Sequence, residues 1–183
     1  NPSGKLPFSF PAKLTDCGAH AFDELSYPGD SIKQEYKEDI LVGYRWHDIK
    51  KTPALFPFGH GLSYTTFAYG KPVVSAKTMT ADGTLTVTVA VKNTGSVAGK
   101  EIVQLYVGDD KCSVLRPVKE LKRFAKIALA PGEEKNVTFT LTPDDLKYYD
   151  EISATWKYEP GKFKAYVCAS SADVRGVVPF EMK

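Results

Sequence analysis

Three cysteines in 183 residues, Cys17, Cys112 and Cys168, are too few and too scattered for a disulfide framework or a Cys-x-x-Cys metal or redox motif. They read as free, mostly buried thiols, because an unpaired Cys behaves as a small hydrophobe. Charge of one sign is missing too. The 24 Lys and Arg against 22 Asp and Glu leave a net +2, so neither nucleic acid nor an anionic membrane is expected as a partner. No apolar run approaches the roughly 20 residues of a membrane helix. The opening NPSGKLPFSFPAKL lacks a basic start, an apolar stretch and a small-residue cleavage site, so a signal for export, if there is one, lies elsewhere.

Catalytic and cofactor motifs are equally scarce. Ser63 follows Gly61-Leu62 without the nucleophile elbow of a hydrolase. His20, His47 and His60 have neither the i, i+4 spacing nor the His-Glu-x-x-His context of a zinc site, and no phosphate-binding or dinucleotide loop occurs. The carboxylate pairs Asp109-Asp110, Glu133-Glu134 and Asp144-Asp145 all stand beside turn residues, where solvated loop charge is the ordinary explanation. No cofactor and no metal is expected within these residues. Helical periodicity is also absent, apart from Asp144-Asp145-Leu146, which suits a single turn.

What is present falls into two halves. From about Lys71 onward, short stretches alternate apolar and polar residues. In TLTVTVAVKNTG, Leu85, Val87, Val89 and Val91 share one face, and Asn93-Thr94-Gly95 ends the strand as a turn. KEIVQLYVGDD, ELKRFAKIALAPGEE and KNVTFTLTPDDL continue the pattern, the last through Val137, Phe139 and Leu141. ATWKYEPGKFKAYVCASSADV then holds two candidates on either side of Pro160-Gly161, with Trp156 expected to pack in the core or on a sheet. About seven short strands at this spacing predict a mainly β fold, an immunoglobulin-like or fibronectin-III-like β-sandwich.

Residues 1–70 differ. They are rich in Pro, Gly and aromatics, and only LPFSF and DILVGYRW read as short strands. So long an irregular segment is uncommon in a compact domain, and Phe8, Phe10, Phe22, Tyr27 and Tyr36 argue against disorder. The segment ALFPFGHGLSYTTFAYG therefore reads as rigid apolar surface that packs against a body outside the chain. Just before it, Tyr44, Arg45, Trp46, His47 and Asp48 group a cation, an aromatic plane, a titratable ring and a carboxylate. Such a set suits a sugar, with ring faces on C–H surfaces and Arg and Asp on hydroxyls. It equally suits a packing loop with one internal Arg–Asp pair, and composition favours packing.

Taken in order, NPSGKLPFSFP, YKEDILVGYRWHD, LFPFGHGLSYTTF, VKNTGSVAGKEIVQLYV, RPVKELKRFAKIALAPGE, DLKYYD and WKYEPGKFKAYVCASSADVR resemble the closing segments of family 3 glycoside hydrolases, the β-glucosidase and β-xylosidase group. The resemblance implies that residues 1–70 are the tail of an α/β sandwich domain plus an interdomain linker, and that 71–183 are a fibronectin-III-like β-sandwich. It implies a non-catalytic, bracing portion of a retaining β-glycosidase whose Asp nucleophile and acid/base lie upstream, separated by roughly 5 Å. Glu35 and Glu38 match neither motif. On this view the partners are the missing upstream catalytic domains, and the oligosaccharide or β-glucoside is met through the parent enzyme, in the periplasm or outside the cell. Phe56, Phe58, His60, Leu62 and Tyr64 become interdomain packing residues. Arg45, Trp46 and Asp48 become candidates for the substrate rim, with a buried Arg45–Asp48 pair anchoring the linker as the favoured alternative. A stand-alone carbohydrate-binding or adhesion module, using Trp46, Trp156 and Tyr side chains, is the competing reading.

Overall fold

A computed structural model describes all of residues 1–183. The first 66 residues hold little regular structure. β1 (Phe10–Pro11) pairs antiparallel with β2 (Ala54–Phe56), single 3-10 turns cover Leu14–Asp16 and Gly18–His20, and α1 spans Tyr44–Lys50. The strands that follow are β3 (Phe67–Tyr69), β4 (Val73–Val74), β5 (Thr78–Met79), β6 (Leu85–Asn93) and β7 (Gly99–Asp109). β8 (Glu120–Leu129) and β9 (Glu134–Leu141) precede the small hairpin of β10 (Tyr148–Asp150) and β11 (Thr155–Lys157). β12 (Gly161–Cys168) and β13 (Val174–Met182) complete the chain.

Two sheets face each other. One runs β5-β13-β12-β7-β8, antiparallel except where β13 meets β5; in the other, β6 carries β3 and β4 along one edge and β9 along the other. The period-2 pattern decides what lies between them. Leu85, Val87, Val89 and Val91 of β6 and Val137, Phe139 and Leu141 of β9 all point inward and are buried. From the opposite sheet, Val103, Leu105, Val107, Phe163, Ala165 and Val167 close the core, and Phe163 stacks on Phe180 at 5.7 Å. Burying each such side chain is worth about 1.5–3 kcal/mol, so this single cluster dominates the stability of the fold.

Strand β7 departs from simple alternation. Residues Val103 to Gly108 are buried without a break, because Gln104, Tyr106 and Gly108 on the outer face are covered as well as the inner row. The cover is the N-terminal segment and the Val118–Glu120 stretch, whose backbone approaches Gly108 so closely that a Cβ there would lie 2.2 Å from the Val118 carbonyl.

Several expectations change at this point. DILVGYRW is not a strand: Tyr44–Lys50 form two turns of α-helix, entered through Gly43 at φ 62° and ended by Lys51 in the left-handed region at φ 54°. A helix this short shows no legible 3.6-residue period. LPFSF contributes only Phe10 to β1. Trp156 lies in a strand, but the β10–β11 hairpin stands outside both main sheets; the residue is 63% exposed and its ring meets Tyr149 edge-on at 5.7 Å. The cysteines are unpaired, but only Cys168 is fully buried, and that burial pushes its thiol up to about 12. Asp144-Asp145-Leu146 does form a single 3-10 turn, with the Asp145 carboxylate accepting from the Thr142 N–H at 2.8 Å.

Truncating Leu105 to Ala, at a site with no solvent exposure, is expected to lower unfolding free energy by about 2–5 kcal/mol, read as a shifted urea midpoint at unchanged slope.

Candidate interdomain interface

The N-terminal segment is held to the sandwich by three sets of contacts, and what remains of its surface is the candidate site. The first set centres on β7. Tyr106 donates from its hydroxyl to Gln104 Oε1 at 2.6 Å, and Gln104 Nε2 donates to the carbonyls of Gly59 (3.3 Å) and Ala169 (3.0 Å). Gly59 has φ +79°, and a Cβ on it would lie 2.5 Å from the Gln104 amide, so both backbone angle and space require glycine here. The loop is stitched on its other side: Gly59 N–H donates to the Leu6 carbonyl, Leu6 N–H to the His60 carbonyl, and Ser171 N–H to the Phe58 carbonyl, each at 2.8 Å.

The second set is aromatic. The Tyr44 ring meets Phe58 at 5.2 Å and Tyr106 edge-on at 5.6 Å, while its hydroxyl accepts from the Leu121 N–H at 3.0 Å. α1 thereby sits on the start of β8. Its other side seats Trp46, 6% exposed, against Gly18, with Phe22 edge-on at 5.6 Å and the Lys50 ammonium 4.8 Å above the ring.

The third set is ionic, and it replaces the expected Arg45–Asp48 pair. Asp48 instead accepts from Lys119 at 2.5 Å, and Arg45 reaches Glu120 at 3.1 Å. Residues 119 and 120 present a cation and an anion to α1, so Arg45 and Asp48 each find a partner across the contact rather than along their own helix. Arg116 joins the group by bonding Glu120 (3.3 Å), Asp109 (3.4 Å) and the Leu146 carbonyl (3.0 Å). Burial acts to raise Glu120, but Lys122, Arg45 and Arg116 outweigh it and hold the carboxyl below its ordinary value. At Asp48 burial prevails over Lys119, and the carboxyl is raised.

Among the candidate rim residues, Trp46 is closed to solvent, and Arg45 and Asp48 are engaged in holding α1 to the sandwich. The five candidate packing residues divide. Phe58 is half-buried against Tyr44 of the chain itself, and His60 is half-buried with its carbonyl accepting from the Leu6 N–H. Phe56, Leu62 (72% exposed) and Tyr64 (76% exposed) point away. Sequence reasoning missed Gln104, Lys119 and Glu120; the unbroken IVQLYVG run was the available sign that β7 is covered on both faces.

The outward residues do not stand alone. On the β1–β2 ribbon, Phe8 and Phe10 lie 4.6 Å apart, Phe10 meets Phe56 edge-on at 6.1 Å, and Phe56 meets His60 at 5.4 Å, with Leu55 beside them and all three Phe rings exposed. These rings form one contiguous exposed group rather than scattered surface hydrophobes.

Comparisons with known proteins bear on the fold and the family. Residues 101–171 match the fibronectin type III-like domain, so the sandwich is of that class. The chain is 68% identical over 180 residues to the β-glucosidase BoGH3A of Bacteroides ovatus, covering 98% of this chain and 24% of that protein. It is 50% identical to the thermostable β-glucosidase B of Acetivibrio thermocellus, over 95% of this chain and 22% of that protein. Among solved structures, DesR, a β-glucosidase from Streptomyces venezuelae in complex with D-glucose, superposes with a TM-score of 0.89 at 41% identity over 98% of this chain and 23% of that chain. These likenesses match the chain, over nearly its whole length, to the C-terminal region of family 3 glycoside hydrolases named as β-glucosidases. It spans about a quarter of the length of the relatives it matches. No helix is long and apolar enough to cross a membrane.

Two outcomes test the docking geometry. Gly59→Ala is expected to cost about 2 kcal/mol or more in chemical denaturation, from strain at positive φ plus the collision with Gln104. Glu120→Gln should flatten the acid limb of stability. The lowered carboxyl stabilises the fold above its unfolded value of about 4.5, and that contribution is lost as pH falls through the folded value. Wild type should therefore lose more stability than the variant between pH 6 and pH 3.

Proposed function

We propose that this chain is the non-catalytic bracing portion of a retaining β-glucosidase that removes terminal β-linked sugars. In this reading residues 1–70 close a preceding α/β sandwich domain and form the linker, and 71–183 form the fibronectin-III-like domain. The observation that carries the proposal is the exposed Phe8, Phe10, Phe56 ribbon on a chain spanning about a quarter of known β-glucosidases. The remaining three-quarters supplies the surface that covers the ribbon, together with Leu62 and Tyr64, and holds the nucleophile and the acid/base. Arg45 and Asp48 serve substrate only indirectly, by keeping α1 and the ribbon fixed. The enzyme acts in the periplasm or outside the cell.

Residues 1–183, with intact mass confirmed, are expected to give no turnover of an aryl β-glucoside, whereas a longer polypeptide carrying them does. Turnover by the short chain that survives repurification would overturn the reading.

One observation favours a second reading, a carbohydrate-binding module: the exposed Tyr149–Trp156 pair on a hairpin clear of both sheets. An open indole face is the usual platform for sugar C–H surfaces. Titration calorimetry of the chain with cello-oligosaccharides decides it. Heat that disappears in Trp156→Ala supports this module, and no heat with millimolar ligand removes it.

A further inference from the structure

Glu38 is 8% exposed, yet one oxygen of its carboxylate is unaccounted for by the chain itself. Oε2 is shut off from solvent and has no hydrogen-bond partner, and no Lys, Arg or His nitrogen lies within the 4.0 Å of an ion pair. The nearby cations are otherwise engaged: Lys37 bonds Asp23 and Glu35, Lys50 lies over the Trp46 ring, and Arg45 reaches Glu120. The Glu38 stem is wedged beside Gly18 and Trp46, where an added Cβ on Gly18 would stand 3.0 Å from Glu38 Cβ and 3.2 Å from the indole. In the same N-terminal segment, Phe22, Tyr36, Ile40 and Val42 are exposed apolar side chains.

A buried carboxylate without a donor is costly, and folded proteins hold such groups in pairs. The same carboxylate becomes favourable once a cation and its N–H groups reach it, because a charge-assisted hydrogen bond is among the stronger polar contacts. We propose that Glu38 is the buried ionic anchor for the rest of the enzyme: a guanidinium or ammonium from the catalytic portion pairs with its carboxylate. The proposal rests on the docking reading above and adds a single recognition site to it. The occupant is a segment of the polypeptide by which the relatives exceed this chain, since they are about four times as long. Its charge follows from the unneutralised carboxylate. A surface that relied on the aromatic ribbon alone would slide; one buried ion pair fixes the register of the contact.

Hydrogen exchange followed by mass spectrometry on residues 1–183 and on the full-length polypeptide tests this, with wild type and Glu38→Gln in each. In wild type, amides of residues 36–46 should exchange about 10- to 100-fold more slowly in the full-length protein than in the short chain. Glu38→Gln should lose most of that gain in the full-length protein and leave the short chain's exchange unchanged or slower. Glu38→Asp, which keeps the charge but withdraws it by one methylene, should lose part of the gain, and it serves if the Gln variant of the full-length protein fails to fold. Equal effects of Glu38→Gln in both lengths would overturn the anchor, as would a full-length gain that survives both substitutions, with the docking reading left intact. No gain in wild type across residues 8–10, 36–46 and 54–64 would overturn both.

Discussion

The amide of Gln104 is the contact on which the arrangement depends. It stands on the outer face of β7, receives the Tyr106 hydroxyl, and gives its own N–H groups to Gly59 in the N-terminal segment and Ala169 at the end of β12. An outward amide on a sandwich strand would ordinarily face water. Here it is buried, and it stays satisfied only while the 54–70 segment lies against it, because losing that segment would leave part of its hydrogen bonding unmade in a place built to be dry. The sandwich and the N-terminal segment are thus parts of one packing problem.

From that constraint the rest follows in layers. Covering β7 brings Tyr44 onto Tyr106 and α1 onto the start of β8, where Lys119 and Glu120 each receive a helix charge. Fixing α1 seats Trp46 against Gly18, and fixing the loop at Gly59 holds β2 beside β1. The consequence is a surface whose outward aromatics are held in place from behind. Such pre-ordering matters for an interface, since side chains and loops already immobilised lose less entropy when a partner arrives. It gives the fibronectin type III-like domain a physical role, that of holding this surface from behind.

The sandwich itself was legible. Alternation in TLTVTVAV and KNVTFTLT, with Asn-Thr-Gly and Pro-Gly at the ends, announced the inward rows that the structure buries. The motifs also pointed to the family, and with it to a portion of a larger enzyme. What alternation could not reveal was pairing between distant segments. Arg45 and Asp48 looked like partners because they are three residues apart, but Glu120 and Lys119 arrive from more than 70 positions away. Two turns of helix are too short to show a period, so Tyr44–Lys50 passed for a strand. Trp156 obeyed its local pattern and lies in a strand, but a two-stranded hairpin apart from the main sheets has no core to offer it. In each case the local sequence was read correctly as chemistry and wrongly as location.

The central claim is that the N-terminal segment and the sandwich form one cooperative unit. Equilibrium urea unfolding of a Trp156→Phe variant measures this directly. The remaining Trp46 reports by fluorescence on the N-terminal segment, while far-ultraviolet circular dichroism reports on the strands. Coincident transitions with a single midpoint are the expected result. Loss of the Trp46 signal at a lower urea concentration, with the strands still intact, would contradict the account and reduce the segment to a loosely attached tail.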